Sequence, residues 1–317
     1  MFFLDFSLEN LTGVNATFAI RWEYAQPSLP YTVGSILTPG VHTMNRKKTA
    51  KNAKKRSATA RVVRVAAGKG PAAKPQSDRG RIVTLAAEPG AVDLDLTETV
   101  VMVVDMQNDF GSKGGMFDRA GFDISIVQRA IPPTAKVLTA ARRAGIIIVY
   151  LKMGFRPDLS DIGAPGSPNR AHLHHVGVGT PMCAPNGTEG RILVRNTWNT
   201  EIVNELQPEA SDIVLYKNHY SGFFQTDLDK RLRRLGTRSI IFTGCTTSVC
   251  VESTLRDAMF RDYSPILLAD CSGEVVGCGL PRSNHEASVL LIKERFGWVS
   301  TSDEFLRALE VGAKADS

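Results

Sequence analysis

Three side chains of different chemistry stand at comparable places in this chain. Asp105 closes the apolar run VVMVVD, Lys217 closes DIVLYK, and Cys250 lies six residues past SIIFTG. A carboxylate, an ammonium and a thiol make a set for acyl transfer. A cation beside a thiol, or the start of a helix beneath it, lowers its pKa and favours the thiolate. A carboxylate in reach can take the thiol proton and later hand it to a leaving nitrogen. Each residue also has a plainer reading: Cys250 as a small buried hydrophobe, Lys217 as a surface lysine, Asp105 as a cap or turn residue. Asp109 reads as a turn or hydrogen-bonding residue, and Cys183, Cys245, Cys271 and Cys278 as structural or incidental thiols. His219 offers the alternative of a Cys–His pair.

Residues so far apart in sequence can meet only if the fold gathers them. The short continuous apolar run in ETVVMVVDM (98–106) reads as a strand buried on both faces, and IIIVYL (146–151), DIVLYK (212–217), SIIFTG (239–244) and PILLAD (265–270) as further strands. Helical patterns fall between them, at 132–144 after two prolines, at 226–236, at about 248–262 and at 281–297. A short helix is expected at about 198–206 and a Gly/Pro-rich loop over 152–190. Strands alternating with helices predict an α/β fold, a Rossmann-like, mostly parallel sheet with helices on both faces. In such a sheet ligands bind outside the carboxyl ends of the strands, which is where all three reactive residues fall.

Composition narrows the class further. At 317 residues, 43% hydrophobic and 22% charged, the chain is neither fibrous nor wholly disordered. Its net charge of +6 is concentrated: residues 46–81 carry 13 Lys/Arg against Asp78 alone, residues 1–45 balance at −2, and the rest at −4. The basic stretch has no aromatic residue and too little apolar surface to fold, so residues 1–90 are expected to be a largely disordered extension and 91–317 the folded domain. Met44 could serve as an alternative start. The basic tail leaves open a nucleic-acid-associated or regulatory binding protein that uses the α/β fold as a scaffold. Five irregularly spaced cysteines suit a reducing, cytoplasmic setting. No membrane span and no secretory leader are expected.

The motifs DMQNDF (105–110), YKNHYSGFFQTDLD (216–229) and TGCTTSVCVESTLRDA (243–258), with GAPGSPN (163–169) and RFGWVS (295–300), resemble the isochorismatase-like cysteine hydrolase superfamily. The resemblance covers about 92–310 and lies nearest the ureidoacrylate amidohydrolase and biuret hydrolase branch. It implies a catalytic triad of Asp105, Lys217 and Cys250 and a non-proline cis peptide at Cys245–Thr246. The backbone N–H groups of Thr246 and Cys250 would then form the oxyanion hole. It also implies an amidohydrolase that cleaves a C–N bond of a small ureido or amide substrate through a thioester, with water as second substrate. Phe110, Phe155, Asn169 and Tyr220 are the expected substrate-binding residues, and a homo-oligomer the expected assembly. Nicotinamidases of the superfamily hold a metal with an Asp-x-His after the second strand. Here that region reads LKMGFRPD (151–158), and His172, His174 and His175 do not match the arrangement, so no metal and no cofactor are expected. Met153 stands where ureidoacrylate-type enzymes tend to carry a polar side chain, which turns the expectation toward another small ureido compound such as biuret. Without the metal ligands a nicotinamidase-like amidase ranks below it as an alternative.

Overall fold

The computed structural model describes residues 81–315 and opens with an antiparallel ribbon, β1 (Ile82–Leu85) paired with β2 (Val92–Asp95). Residues 82–90 were expected in the extension, yet they belong to the folded body. Val83 and Leu85 point inward, and Glu88 exchanges backbone hydrogen bonds with Val299 at 2.8 and 3.0 Å. Two inward residues at period two are too short a signal to stand out beside a basic tail. The expectations for residues 1–80 lie outside the described residues.

From β3 (Thr99–Val104), whose six residues are all buried, the chain passes through three single-turn helices, α1 (Asn108–Gly111), α2 (Met116–Arg119) and α3 (Ser125–Gln128). The longer α4 (Ile131–Arg143) follows, with prolines in its first turn where their missing N–H costs nothing. Gly145, at φ 74°, supplies the left-handed residue that turns the chain into β4 (Ile147–Met153). The expected long loop contains α5 (Pro168–His175) and a small antiparallel pair, β5 (Pro181–Cys183) with β6 (Glu189–Arg191). The helix expected at 198–206 is two separate 3-10 turns, Trp198–Thr200 and Asn204–Leu206.

The second half runs β7 (Ile213–Lys217), α6 (Leu228–Arg234), β8 (Ser239–Cys245) and a wide π-type turn, Thr247–Val251, that leads into α7 (Glu252–Met259). It continues with β9 (Ser264–Gly273), α8 (Asn284–Leu291), β10 (Trp298–Ser300) and α9 (Ser302–Ala315). The last helix was not anticipated, although it buries Phe305, Ala308 and Leu309.

β3, β4, β7, β8, β9 and β10 form one sheet in the order β10-β9-β8-β3-β4-β7, and every pairing in it is parallel. Alternate strand residues feed two cores. Val101, Val103, Ile148 and Tyr150 pack toward α4 and α9, while Val100, Met102, Val104, Val149 and Leu151 pack toward α6 and α7. Helices therefore cover both faces. The chain winds outward from β3 in one direction and then from β8 in the other, so the switch point of the sheet lies between those two strands, and a ligand crevice is expected at their carboxyl ends. Among the described residues no helix is long and apolar enough to cross a membrane.

Candidate active site

Asp105 is the first residue beyond β3. Its N–H donates to the carbonyl of Leu151 at 2.8 Å, and its φ of 53° places it in the left-handed region that a non-glycine residue enters at a cost of about 1–3 kcal/mol. Beside it, β8 approaches so closely that a Cβ on Gly244 would lie 2.0 Å from the Val104 carbonyl oxygen, so only glycine fits there. Lys217 ends β7, two strands away from β3. Two strand spacings are roughly 10 Å, a gap that the lysine and aspartate side chains close by reaching toward each other. Its Nζ passes Met153 Sδ at 3.6 Å and meets Asp105 Oδ2 at 2.6 Å. A further hydrogen bond runs from Nζ to the His219 carbonyl at 3.3 Å.

Cys250 sits in the π-type turn after β8, 7% exposed, close enough to Asp105 and Lys217 for both to act on its thiol. Its own carbonyl accepts from Thr254 Oγ1 at 2.7 Å, and Thr254 Oγ1 in turn accepts from Gly222 N at 3.0 Å, which ties the Cys250 turn to the 220–223 loop. The Cys245–Thr246 peptide is cis, and Cys245 Sγ donates to the Asp105 carbonyl at 3.2 Å.

The electrostatics differ from the sequence expectation in one respect. The Cys250 thiol was expected below the usual thiol range. Burial instead pushes it up, with Lys217 pulling down and Asp105 adding to the rise. The helix-terminus contribution is also partly taken, because the Glu274 carboxylate accepts from Ser248 N at 2.6 Å. Asp105 is raised by burial, opposed by Lys217. For Lys217 burial works against the charge, but Asp105 and Cys250 beside it outweigh that and hold the ammonium charged. Burial thus opposes ionisation of both the Cys250 thiol and the Asp105 carboxyl, while the neighbouring groups hold Lys217 charged.

The other expected residues fall in varied places. The Tyr220 phenol is raised by burial and by Cys250 and lowered by Lys217, which sets it against the reactive group. Asn169 lies in the first turn of α5, and its buried Nδ2 donates no hydrogen bond. Phe110 is nearly buried against Phe117, ring centroids 4.8 Å apart, and Phe155 is wholly inside the larger core. His219 places Nδ1 3.0 Å from Asn218 Oδ1 and its ring 4.2 Å from Phe224, so its polar contact is not with Cys250. Asp109 accepts from Leu193 N at 2.7 Å, Met116 N at 3.0 Å and Asn199 Nδ2 at 2.6 Å. Cys271 is buried, while Cys183 and Cys278 are exposed. His172, His174 and His175 ride on α5, where Arg170 Nε donates to His174 Nε2 at 3.3 Å. Among the described residues no three His, Cys, Asp or Glu side chains gather as a metal-binding group.

Sequence reasoning passed over Gln107, fully buried, whose Nε2 donates to the Met153 carbonyl at 2.9 Å and whose Oε1 accepts nothing. It also passed over Thr247, Ser272, Glu274 and His285 around the turn that carries Cys250. The carboxyl end of β9 was the available signal, since polar residues follow the LLAD run directly beside the switch point.

The isochorismatase domain matches residues 99–304 of the chain. The chain is 41% identical over 224 residues to the ureidoacrylate amidohydrolase RutB of Variovorax paradoxus (strain S110), covering 71% of this chain and 86% of that protein. To the ureidoacrylate amidohydrolase RutB of Methylorubrum extorquens (strain ATCC 14718 / DSM 1338 / JCM 2805 / NCIMB 9133 / AM1) it is 43% identical over 233 residues, 74% of this chain and 91% of that one. Among solved structures, a cysteine hydrolase from Pseudomonas syringae pv. phaseolicola 1448A superposes with a TM-score of 0.58 at 29% identity, covering 72% of this chain and 98% of that chain.

Proposed function

This chain belongs to the isochorismatase family, and from that premise we propose that it is a cysteine-dependent amidohydrolase that cleaves a C–N bond of a small ureido compound, of the ureidoacrylate or biuret type. The observation that carries the reading is the buried Lys217–Asp105 pair at 2.6 Å, placed with Cys250 at the switch point of the sheet. The likeness to the two ureidoacrylate amidohydrolases supports the ureido class.

In the proposed cycle the ureido carbonyl carbon sits over Cys250. Asp105, made more basic by burial, takes the thiol proton, and the thiolate forms beside the Lys217 ammonium. Attack moves electrons onto the carbonyl oxygen, where the backbone N–H groups of Thr246 and Cys250 receive the charge. Asp105 then protonates the leaving nitrogen, which departs as ammonia or an amine. Water enters, gives its proton to Asp105 and opens the thioester, and the proton returns to the thiolate. Lys217 stays charged throughout.

Asn169, through its free amide donor, and Tyr220 are the proposed contacts for the polar substrate, with Phe110 and Phe155 backing the pocket. The hydrolase unit begins at β1 in this reading, ahead of the expected boundary at 91. A cytoplasmic setting and a homo-oligomer remain part of the proposal. The test is release of ammonia or amine by purified protein from ureidoacrylate, biuret, N-carbamoyl amino acids and nicotinamide. Turnover of a ureido compound supports the reading, and turnover of nicotinamide alone overturns it.

A further inference from the structure

The nucleophile turn is braced from behind by a chain of four polar groups whose proton order can be counted. Ser272 Oγ lies 3.0 Å from the Gly244 carbonyl oxygen. Thr247 Oγ1 lies 2.8 Å from Ser272 Oγ and 2.9 Å from His285 Nδ1. A carbonyl oxygen can only accept, so the single Ser272 hydroxyl proton goes to Gly244. The Thr247 hydroxyl must then donate to Ser272, and the proton between Thr247 and the ring must come from the ring. The order is His285 Nδ1–H to Thr247, Thr247 to Ser272, Ser272 to the Gly244 carbonyl. It fixes His285 with hydrogen on Nδ1.

One hydroxyl, that of Ser272, holds a backbone carbonyl and a nearby side chain together. Gly244 and Thr247 flank the pair Cys245 and Thr246, and Ser272 binds the carbonyl of the first and the side chain of the second. Thr247 is fully buried and Ser272 8% exposed, so water does not compete freely for these bonds. A second brace adds to the first. Glu274, 2% exposed, accepts from Ser248 N at 2.6 Å and from Val276 N at 2.8 Å, which fixes the residue after Thr247 to the end of β9. None of the hydrogen bonds of either brace is made to the Cys250 thiol, Asp105 or Lys217, so the bracing bears on the direction of the turn's N–H groups more than on the thiol.

We propose that Thr247, Ser272 and His285 are positioning residues that aim the Thr246 N–H at the carbonyl oxygen of the substrate; this rests on the acyl-transfer reading above but not on the identity of the substrate. An N–H held by a preformed network serves a developing oxyanion without rearrangement, and losing one such donor costs roughly 10²–10³-fold in rate.

The experiment compares two reactions of Cys250 in the full-length protein. Acylation by p-nitrophenyl acetate, read as the p-nitrophenolate burst above a Cys250→Ser blank, builds an oxyanion. Alkylation by iodoacetamide, read by mass spectrometry on the Cys250 peptide, builds none. Thr247→Val, which keeps the shape and removes the hydroxyl, should slow acylation roughly 10²-fold while alkylation stays within about threefold. Thr247→Ser should restore acylation, and Ser272→Ala should repeat the Thr247→Val result if that variant folds poorly. Long-range proton–nitrogen spectra of the wild type should show His285 with hydrogen on Nδ1. Unchanged acylation in Thr247→Val, an equal fall in both reactions, or hydrogen on Nε2 would each overturn the proposal. A wild-type protein that acylates Cys250 but hydrolyses no ureido compound removes the substrate reading and leaves this proposal to be judged on the two rates.

Discussion

Asp105 and Asp109 are four residues apart, both wholly buried, and both raised above the ordinary carboxylate range by burial. What surrounds them differs. Asp105 faces an ammonium and a thiol, groups that carry or exchange protons. Asp109, raised to about 6, faces three amide donors that cannot give theirs up, from Met116, Leu193 and Asn199. Burial alone thus says nothing about role: the partner set suits one carboxylate to the proton transfers of the proposed cycle and makes the other a clasp joining α2, the 193 loop and the 198–200 turn.

Exchanging functional groups at the first carboxylate should have the largest effect on turnover. Cys250→Ser is expected to bind substrate and turn over at least ~10³-fold more slowly, since a hydroxyl stays protonated and is a weaker nucleophile. Lys217→Ala should fall comparably, because it leaves Asp105 buried and uncompensated. Asp105→Asn should stall as well, and quenched mass spectrometry should place any adduct on the Cys250 peptide. An adduct on Cys245 or Cys271, or full activity in Cys250→Ser, would erase the distinction between the two carboxylates.

At the second carboxylate the effect should appear in stability. Asp109 holds a folded-state pKa of about 6 against an ordinary 3.8, so the folded form binds the proton more tightly than the unfolded chain. Its contribution is full below the unfolded pKa and is lost as pH rises through about 6, a span worth roughly 3 kcal/mol at most. Asp109→Asn should flatten that part of the stability profile measured by urea melts between pH 4 and 7. Turnover should fall far less than in Asp105→Asn. A profile unchanged by Asp109→Asn would mean that another group carries it.

Changes remote from both carboxylates should leave turnover alone. Removing residues 1–80 should preserve melting temperature and rate, whereas removal through 90 strips Val83 and Leu85 from the core, each worth roughly 1.5–3 kcal/mol, and should lower the melting temperature. Equal melting temperatures for the two truncations would show β1 to be dispensable. Exhaustive chelation should not change the rate, and loss of activity restored by zinc or iron would revive a metal-dependent reading.

Five of the six sheet strands were legible as unbroken apolar runs, with the three reactive residues at or just past their ends, whereas β10, three residues long, shows no such run. β1 and α9 were not legible. The first is too short to show a period, and the second hides three buried residues in a charged helix. Cys250's environment was misread because local neighbours suggested stabilisation of a thiolate, whereas the degree of enclosure, which no spacing encodes, pushes the other way. The brace of Thr247, Ser272 and His285 joins three distant stretches through single hydroxyls, and nothing in any one stretch marks it.

Lys217 belongs to β7, the outermost strand, and reaches past β4 to touch Asp105. The lysine therefore works as a tie-rod: the reactive set exists only while the rim of the sheet stays laced to its middle. An edge strand has one neighbour and frays before its interior. Peeling β7 would withdraw the ammonium from the site while β3, β8 and the hydrophobic cores remain in place. Heat or denaturant should thus silence the protein ahead of its main unfolding transition, with loss of activity marking the loosening of one border of the molecule.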